Sequence, residues 1–344
     1  MSEFAQRLLQ WFDRDGRHDL PWQHPRTPYR VWLSEIMLQQ TQVQTVIPYF
    51  TRFLDALPTL PDLAAAEHDR VMALWAGLGY YARARNLHRA ARVCVQEHGG
   101  ELPADFEALS ALPGIGRSTA GAILAQAHGD RFPILDGNVK RTLARYHGIG
   151  GWPGSSPVEK QMWALAEQHL PDARLADYTQ AIMDFGATLC TRHDPACVLC
   201  PLQDDCVARR EGRVEQLPEA KPGKPLPERR TLMLWVEDAQ GRVLLARRPE
   251  KGVWAGLWSL PETEGHDQAR DWLAGNVAAD FDAGEDLPVF EHVFSHYRLH
   301  LQLQRLRKIA LRDVVRDNDG LRWVARGNLA ALGLPAPIRK LLGN

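Results

Sequence analysis

The chain has 344 residues with a formal net charge of −1, and 24% of the residues are charged and 45% hydrophobic. This is the profile of a soluble globular protein, long enough for two or three domains that each bury a core. No apolar run approaches the roughly 20 residues that span a bilayer, which excludes a transmembrane helix. The charge neither requires nor excludes a nucleic-acid partner, because binding depends on where positive residues cluster.

The N-terminal segment predicts a protein that is not exported. Residues 1–24 carry charged side chains throughout and lack both an unbroken apolar stretch and a small-residue cleavage site. These properties exclude a secretory signal peptide. We therefore expect a cytoplasmic protein, in which thiols stay reduced and available to a metal.

Residues 1 to about 211 are predicted to be mostly helical. Apolar side chains at helical intervals predict one helix from Val31 to Val46, which ends near Pro48. Glycine and proline separate further helices. These are predicted over residues 62–76, 81–97, 105–111, 117–128, 137–147, 157–169 and 174–188.

Two acidic residues lie in unusual surroundings. Glu35 lies within the first predicted helix, between turns that are apolar or carry amides. A carboxyl group removed from water in this way has a raised pKa and can act as a general acid. Asp136 directly precedes another predicted helix, and taken alone it is best interpreted as a helix N-cap.

The segment LPGIGRSTAG, residues 112–121, predicts a helical hairpin. Gly114 and Gly116 allow the backbone to turn tightly and to present its amides beside the start of the next helix. Such a turn can bind a phosphate through its backbone N–H groups, although an isolated pair of glycines is more often an ordinary hairpin turn. The apolar Leu112 and Ile115 can anchor the hairpin and favour phosphate binding.

Four of the five cysteines lie close together near the middle of the chain. They follow the spacing C-x6-C-x2-C-x5-C, and they are Cys190, Cys197, Cys200 and Cys206. So short a loop can place four thiolates around one metal centre, and both zinc and an iron–sulfur cluster suit these ligands. Two local disulfides would need an oxidising compartment, so the metal centre is the favoured interpretation.

The composition changes after the cysteine loop. Residues 212–229 contain four prolines and little apolar surface, which predicts an extended linker. The segments 231–236 and 242–247 flank a turn and predict a β-hairpin, and alternating leucines at 299, 301 and 303 predict another strand. The C-terminal third is therefore predicted to be a separate α+β domain.

The chain resembles the endonuclease III superfamily of DNA glycosylases, in which the same three features occur in the same order. They are the hairpin, an aspartate 20 residues after Gly116, and the four-cysteine loop. Four further segments are similar to its MutY branch, a family of adenine DNA glycosylases. They are LPWQ (20–23), SEIMLQQTQV (34–43), GLGYYARARNL (77–87) and LDGNVKR (135–141). The resemblance covers essentially the whole chain.

The resemblance implies a multidomain fold, in which an all-α glycosylase region with an iron–sulfur loop is joined by a linker to an α+β, MutT-like domain of the Nudix type. It also implies one [4Fe–4S] cluster, held by the four cysteines. The implied boundaries are a catalytic region at 1–211, a linker at 212–229 and a MutT-like domain at 230–344. The catalytic region would consist of a six-helix barrel at about 25–130 and an iron–sulfur domain formed by residues 1–24 and 131–211.

The implied activity is base excision repair by a monofunctional glycosylase. It would flip an adenine mispaired with 8-oxoguanine or guanine and remove it by hydrolysis, leaving an abasic site. By resemblance Glu35 would protonate the adenine, and Asp136, kept ionised, would stabilise the sugar cation with Asn138 as its hydrogen-bond partner. Lyase members carry a lysine where this chain has Ser118, which favours hydrolysis.

The implied partner is double-stranded DNA, bound by a monomer with no membrane contact and, in a bacterium, associated with the nucleoid. Gln39 would insert into the duplex, and Tyr80 would wedge beside 8-oxoguanine unless it is simply a core aromatic. Further implied DNA contacts are Gln40, Thr41, Gly114, Gly116, Lys140 and Asp184. In the MutT-like domain the implied contacts to 8-oxoguanine are Phe294, Ser295 and His296.

The MutT-like domain departs from the Nudix pattern at the residues that would bind a metal. Gly256 and Glu262 have the G-x5-E spacing, but residues 270–275 read RDWLAG where two glutamates should hold Mg²⁺. A divalent metal would have few oxygen ligands there. The sequence therefore predicts that pyrophosphate hydrolysis has been lost from this domain.

Two other functions stay open at this point. One is a bifunctional glycosylase and lyase acting on damaged pyrimidines, against which Ser118 and the C-terminal domain both count. The other is a redox-sensing DNA-binding protein without base chemistry, in which the metal cluster would be the active element.

Overall fold

The structure is a computed structural model that describes residues 1–223, 225–276, 284–294, 297–307, 309 and 320–343. The chain divides into two compact units. One consists of Met1–Ala65 with Asn86–Gly223, and the other of Ala66–Arg85 with Lys224–Asn344. The second unit thus includes a segment that lies within the predicted catalytic region.

The chain before the predicted linker is helical, as its periodicity indicates. Its first helices are α1 (Glu3–Asp15), α2 (Pro28–Leu38), α3 (Val43–Ala56), α4 (Leu60–Ala65), α5 (His68–Trp75) and α6 (Ala82–Glu97). They are followed by α7 (Phe106–Ser110), α8 (Arg117–Ile123), α9 (Gly137–His147), α10 (Ser156–His169), α11 (Leu175–Thr188) and α12 (Val207–Arg210). A π-helical turn, Leu124–His128, directly continues α8.

The predicted helix from Val31 to Val46 is wrong, because the chain breaks between α2 and α3. Gln40 lies in this break with φ +57°, a left-handed conformation that a right-handed helix does not contain. Pro48 lies inside α3 rather than at its end. The buried face of α3 offsets the hydrogen bond that proline cannot donate. The predicted helix at 62–76 is likewise two helices, α4 and α5.

The core of the first unit is built on α1, α9 and α11. Phe4, Leu8 and Trp11 recur at helical spacing on α1 and are buried in this core. Helix α11 packs against both α1 and α9. At Gly186 on α11 a Cβ atom would lie 2.6 Å from the Cβ of Asn138, so only glycine lets the two backbones approach this closely. This approach fixes the N-terminal end of α9, where Asp136 lies.

Among its described residues, the second unit contains two sheets and two helices after the predicted linker. The strands are β1 (Glu228–Val236), β2 (Val243–Arg247), β3 (Trp258–Ser259), β4 (Glu262–Thr263), β5 (Glu285–Val293), β6 (Arg298–Leu306) and β7 (Leu321–Val324). The helices are α13 (His266–Asn276) and α14 (Ala336–Leu342). One sheet has the order β4-β1-β6-β5, with β1 and β6 parallel, and the other has the order β3-β2-β7.

The predicted hairpin of residues 231–236 and 242–247 is wrong, although both strands exist. They lie in different sheets and are linked by a single bridge between Glu237 and Val243. Met233 and Trp235 of β1 belong to one apolar core, and Leu232 and Leu234 belong to another. Because both faces of β1 are covered, the strand is buried in a mixed sheet rather than in a simple hairpin.

In the part of the chain that the structure describes, no helix combines the length and the apolar character needed to cross a bilayer.

Candidate active site

The site forms where α2 packs against α8 and the π-helical turn. Glu35 on α2 is half-buried, and Nε2 of Gln126 on the π-helical turn donates to its Oε1 at 3.2 Å. Burial, together with the nearby charge of Asp136, raises the pKa of Glu35 to about 8, against the opposing effect of Gln126. At neutral pH the Glu35 carboxyl group therefore holds a proton that it can donate.

Asp136 is both a helix cap and a neighbour of this acid. Its Oδ1 accepts the N–H of Val139 at 2.8 Å, which is the N-cap interaction expected before α9. Burial raises the pKa of Asp136, whereas the N–H groups of Val139 and Asn138 and the charges of Arg141 and Lys140 act to lower it. The positive groups and N–H donors thus favour the carboxylate that burial disfavours.

Asn138 contacts Asp136 through its backbone, while its side chain turns to another partner. Its Oδ1 accepts a hydrogen bond from Nη2 of Arg141 at 2.8 Å. The guanidinium of Arg141 also donates to the carbonyl oxygens of Gly186 and Cys190. Asn138 therefore helps to hold the start of α9 against the end of α11.

Ser118 links the hairpin to the segment that carries the aspartate. Its Oγ lies in the first turn of α8 and accepts the backbone N–H of Leu135 at 2.9 Å. The side chain at the position of the lyase lysine is thus a neutral hydroxyl group with a structural partner next to Asp136.

The predicted helical hairpin is present between α7 and α8. Gly114 has φ +80°, and a Cβ atom there would lie 2.8 Å from the Cβ of Asn86. Glycine is needed at this position for both reasons. Leu112 and Ile115 are buried and anchor the turn, and Gly116 caps α8. The backbone amides of Gly116 and the following residues therefore lie at the start of a helix, where an anion is favoured.

The three predicted DNA contacts after α2 lie in the helix break. Gln39 is the C-cap residue at the end of α2, four residues after Glu35. Gln40 is exposed and left-handed, and the hydroxyl group of Thr41 donates to the carbonyl oxygen of Gln39 at 3.4 Å. A non-glycine residue held in this conformation is often a functional one.

Tyr80 is not a core aromatic. Its side chain is 53% exposed, its φ is +48°, and the guanidinium of Arg83 lies 5.7 Å from its ring centre. The adjacent Tyr81 is the buried member of the pair, with its hydroxyl group donating to the carbonyl oxygen of Leu334 at 2.9 Å. The ring of Tyr80 is therefore accessible to a partner.

Two predicted DNA contacts have partners within the protein. Lys140 forms an ion pair with Glu159 at 2.7 Å. Asp184 is 0% exposed and accepts hydrogen bonds from the backbone and guanidinium of Arg17 and from Nε2 of Gln180. Asp184 thus anchors the segment after α1, a structural role that the sequence did not predict, and its contact with DNA stays a prediction.

The cysteine loop closes around one cavity. None of the five cysteines forms a disulfide, so the alternative of two disulfides is wrong. The cavity is lined by Cys190, Cys197, Cys200 and Cys206 together with Arg145. Burial raises the pKa of Cys200 to about 12, and the other three cysteines act in the same direction. Within the described part of the chain, no three His, Cys, Asp or Glu side chains are grouped to hold a single metal ion.

Arg145 holds the cysteine loop onto α9. Its side chain is buried, at 3% exposed, and its guanidinium donates to backbone carbonyl oxygens within the loop and in the segment that follows α12. These belong to Thr191, Arg192, Val214 and Leu217, at 2.6 to 3.1 Å. Nη1 also lies 3.4 Å from the sulfur of Cys190. The sequence showed Arg145 only as one of several basic residues.

In the second unit, the Nudix-type glutamate has no free oxygen. Oε1 of Glu262 accepts from the hydroxyl group of Thr231 at 2.9 Å, and Oε2 is paired with Arg248. The loss of the metal site in this domain stays a prediction. Phe294 packs on Tyr297 with ring centres 4.8 Å apart, and the other two residues of the predicted recognition loop, Ser295 and His296, lie outside the described residues.

Sequence reasoning missed Gln126, although one signal was present. The segment GAILAQAHG, residues 121–129, places a single amide in an otherwise small and apolar run. A polar residue at a position that the pattern predicts to be buried needs a partner, and here that partner is Glu35. Arg17 gave no comparable signal, because its partner Asp184 is 167 residues away.

Comparison with family models finds two matches. Residues 33–168 match the HhH-GPD superfamily of base excision DNA repair proteins, and residues 232–344 match the NUDIX domain. The first match contains both Glu35 and Asp136, and the second covers the two sheets from the middle of β1 onward.

Curated relatives extend the similarity over the whole chain. The chain is 37% identical over 341 residues to the adenine DNA glycosylase of Buchnera aphidicola subsp. Acyrthosiphon pisum, an alignment that covers 99% of this chain and 97% of the relative. It is 35% identical over 405 residues to the adenine DNA glycosylase of Homo sapiens, an alignment that covers 99% of this chain and 73% of the relative. Among solved structures, a thermostable thymine-DNA glycosylase matches 60% of this chain and 95% of its own with a TM-score of 0.56 and 28% identity.

Proposed function

We infer that this chain, which belongs to the adenine DNA glycosylases of the helix-hairpin-helix base excision repair superfamily, hydrolyses the N-glycosyl bond of an adenine paired with 8-oxoguanine or guanine. The observation that carries the proposal is Glu35, which accepts a hydrogen bond from Gln126 and whose pKa is raised by burial and by nearby Asp136, both acids lying within the matched glycosylase region. The adenine must leave the helix stack to reach them, which costs a few kcal/mol.

The proposed reaction begins with proton transfer from the carboxylic acid of Glu35 to N7 of the flipped adenine. The bond from C1′ to N9 then breaks, both bonding electrons stay with the base, and adenine leaves as a neutral molecule. The ionised Asp136 stabilises the positive charge that develops on the sugar. Water adds to C1′ and gives its proton to the Glu35 carboxylate, which restores the acid and leaves an abasic site.

The proposed reaction is hydrolytic and monofunctional. A lyase needs an amine that attacks C1′ to form a Schiff base. At the corresponding position Ser118 offers a hydroxyl group that already accepts from Leu135, and the nearby Lys140 is paired with Glu159. These partners favour water as the attacking group.

The four cysteines around one cavity fit the thiolate ligands of one [4Fe–4S] cluster. When bound, such a cluster would supply structural bracing, because its four bonds cross-link residues 190 to 206. Arg145 would lie beside it and connect it to α9, whose N-terminal end carries Asp136. The proposal thus assigns the cluster to folding and DNA binding and the base chemistry to the acids.

The proposed partner is double-stranded DNA, bound by a cytoplasmic monomer. The amides around Gly114 and Gly116 would bind backbone phosphates, as would Lys140. The exposed Gln40 and Tyr80, with Gln39 and Thr41, would enter the duplex around the mispair. Asp184 would act through the segment it anchors, and Phe294, Ser295 and His296 of the domain at 230–344 would contact 8-oxoguanine.

An alkali cleavage assay tests this function. The protein is incubated with a duplex that contains one adenine opposite 8-oxoguanine and is labelled on the adenine strand, and hot alkali then cuts at abasic sites. We expect a cut at the adenine after alkali and an intact strand without it. A cut before alkali would indicate a lyase, and an intact strand after alkali would indicate a DNA-binding protein without base chemistry.

A further inference from the structure

Gln126 forms a specific pair with the proposed acid. Its side chain is 5% exposed, and its Nε2 donates to Oε1 of Glu35 although the two residues are 91 positions apart in the chain. An amide buried without a partner would lose the hydrogen bonds it makes in water. The packing of the π-helical turn against α2 therefore brings together two polar groups that each need a partner.

The backbone that carries Gln126 is unusual. Residues Leu124–His128 form a π-helical turn, and Gly129 ends it with φ +76° and an N–H bond to the carbonyl oxygen of Leu124. A π-helical turn is wider than an α-helical one, so it changes the direction in which a side chain leaves the helix, and such turns are frequent at functional sites. The turn continues α8 of the hairpin, so it connects the proposed DNA-binding element to Glu35.

We propose that Gln126 is a positioning residue for the acid and base chemistry of Glu35, an inference that rests on the proposed role of Glu35. Because Oε1 accepts from Gln126, the proton of the neutral acid lies on the other oxygen, Oε2. After that proton has been transferred, the same N–H group stabilises the carboxylate that must accept a proton from the attacking water.

The charged surroundings of Glu35 set the direction of the effect. Within the residues that the structure describes, the charge that acts on Glu35 is that of Asp136, which favours the neutral acid. The other titratable side chains on the elements packed against α2 are Tyr49, Arg52 and Asp55 on α3, Arg117 on α8 and His128 on the π-helical turn. Gln126 opposes Asp136 by favouring the carboxylate.

The test measures single-turnover adenine release from the mispaired duplex as a function of pH. Gln126→Met keeps the side-chain length and removes the N–H donor. We expect the alkaline limb of the rate profile to move up by about one pH unit, and the rate at neutral pH to fall about tenfold. Gln126→Leu removes the same donor with a different shape and should show the same shift, so that a folding defect in one variant does not decide the result.

Gln180→Met is the matched control, because Nε2 of this buried glutamine donates to Asp184 at 2.7 Å on α11. It should lower stability and leave the alkaline limb in place. An alkaline limb that stays in place or moves down in both Gln126 variants would overturn the inference. Glu35→Gln in the same assay separates failure of the proposed function from failure of this inference. If Glu35→Gln releases adenine at the normal rate, the proposed role of Glu35 is wrong. If Glu35→Gln is inactive and both Gln126 variants behave like the parent, only the role of Gln126 is wrong.

Discussion

The hydroxyl oxygen of Ser118 accepts the backbone N–H of Leu135 at 2.9 Å, which ties the first turn of α8 to the residue before Asp136. In the sequence, Ser118 is notable because it stands where lyase members of the superfamily carry a lysine. The structure gives the hydroxyl group a further task, because it holds the hairpin and one of the two proposed catalytic carboxyl groups in a fixed relation.

Ser118→Ala tests this tether. The change leaves a largely buried N–H group without its acceptor, which should lower the free energy of unfolding by about 1 kcal/mol. Adenine release in single turnover should slow several-fold, because Asp136 is less firmly placed. Ser118→Thr keeps the hydroxyl group and is the matched control. Equal rates for the alanine and threonine variants would contradict the tether.

Arg145→Met tests the connection between α9 and the cysteine loop. The variant loses hydrogen bonds to four backbone carbonyl oxygens, two within the loop and two after α12, and we expect the free energy of unfolding to fall by about 3 kcal/mol. Purified protein should carry less iron and sulfide per chain. The control is Arg210→Met, an exposed arginine on α12. Full iron content and unchanged stability in Arg145→Met would show that the arginine does not brace the loop.

The pair Tyr80 and Tyr81 separates function from stability. Tyr80→Ala removes an exposed ring and should change the free energy of unfolding by less than about 0.5 kcal/mol, while weakening the preference for 8-oxoguanine over guanine opposite adenine. Tyr81→Phe removes a buried hydrogen bond to Leu334 and should cost about 1 kcal/mol with the preference unchanged. Binding titrations with both duplexes and urea unfolding provide the measurements. A loss of stability in Tyr80→Ala together with a loss of preference in Tyr81→Phe would contradict both assignments.

Glu35 should make the protein less stable as the pH rises. Its pKa is raised from 4.5 to about 8, so between these values the folded protein holds a proton that the unfolded chain has released. The free energy of unfolding therefore falls with rising pH through this window. Glu35→Gln is neutral at every pH and should be more stable than the parent by roughly 4 kcal/mol near pH 8.5, with no gain near pH 4. Urea unfolding at both pH values is the measurement, and parallel pH profiles for the two proteins would contradict the raised pKa.

The helical half of the fold followed from the sequence where apolar periodicity is continuous, as in α6, α9 and α11. Periodicity could not locate the break at Gln40, because the apolar residues before and after the polar run at 39–42 fit one helical spacing, while the backbone turns left-handed there. Periodicity also gave β1 the wrong pairing partner. A turn with strand-like flanks predicts a hairpin, whereas β1 is buried on both faces and pairs with β6 inside a sheet.

The candidate site was predictable only in part, because the sequence shows local motifs but not contacts between distant residues. Glu35 and Asp136 stand in local motifs, so the sequence alone singled them out. Gln126, Arg145 and Arg17 depend on partners far along the chain, which local patterns do not reveal. The Asp184 side chain could be recognised as polar in an apolar helix, but only the tertiary structure shows that Arg17 is what it binds.

The central claim is that Glu35 supplies the proton that lets adenine leave. The most direct measurement is single-turnover adenine release by Glu35→Gln from a duplex with adenine opposite 8-oxoguanine, beside Glu167→Gln, which alters an exposed carboxylate paired with Arg131. We predict that Glu35→Gln binds the duplex as tightly as the parent and releases adenine at least about 100-fold more slowly, while Glu167→Gln is unchanged. Release by Glu35→Gln at the parent rate would contradict the claim.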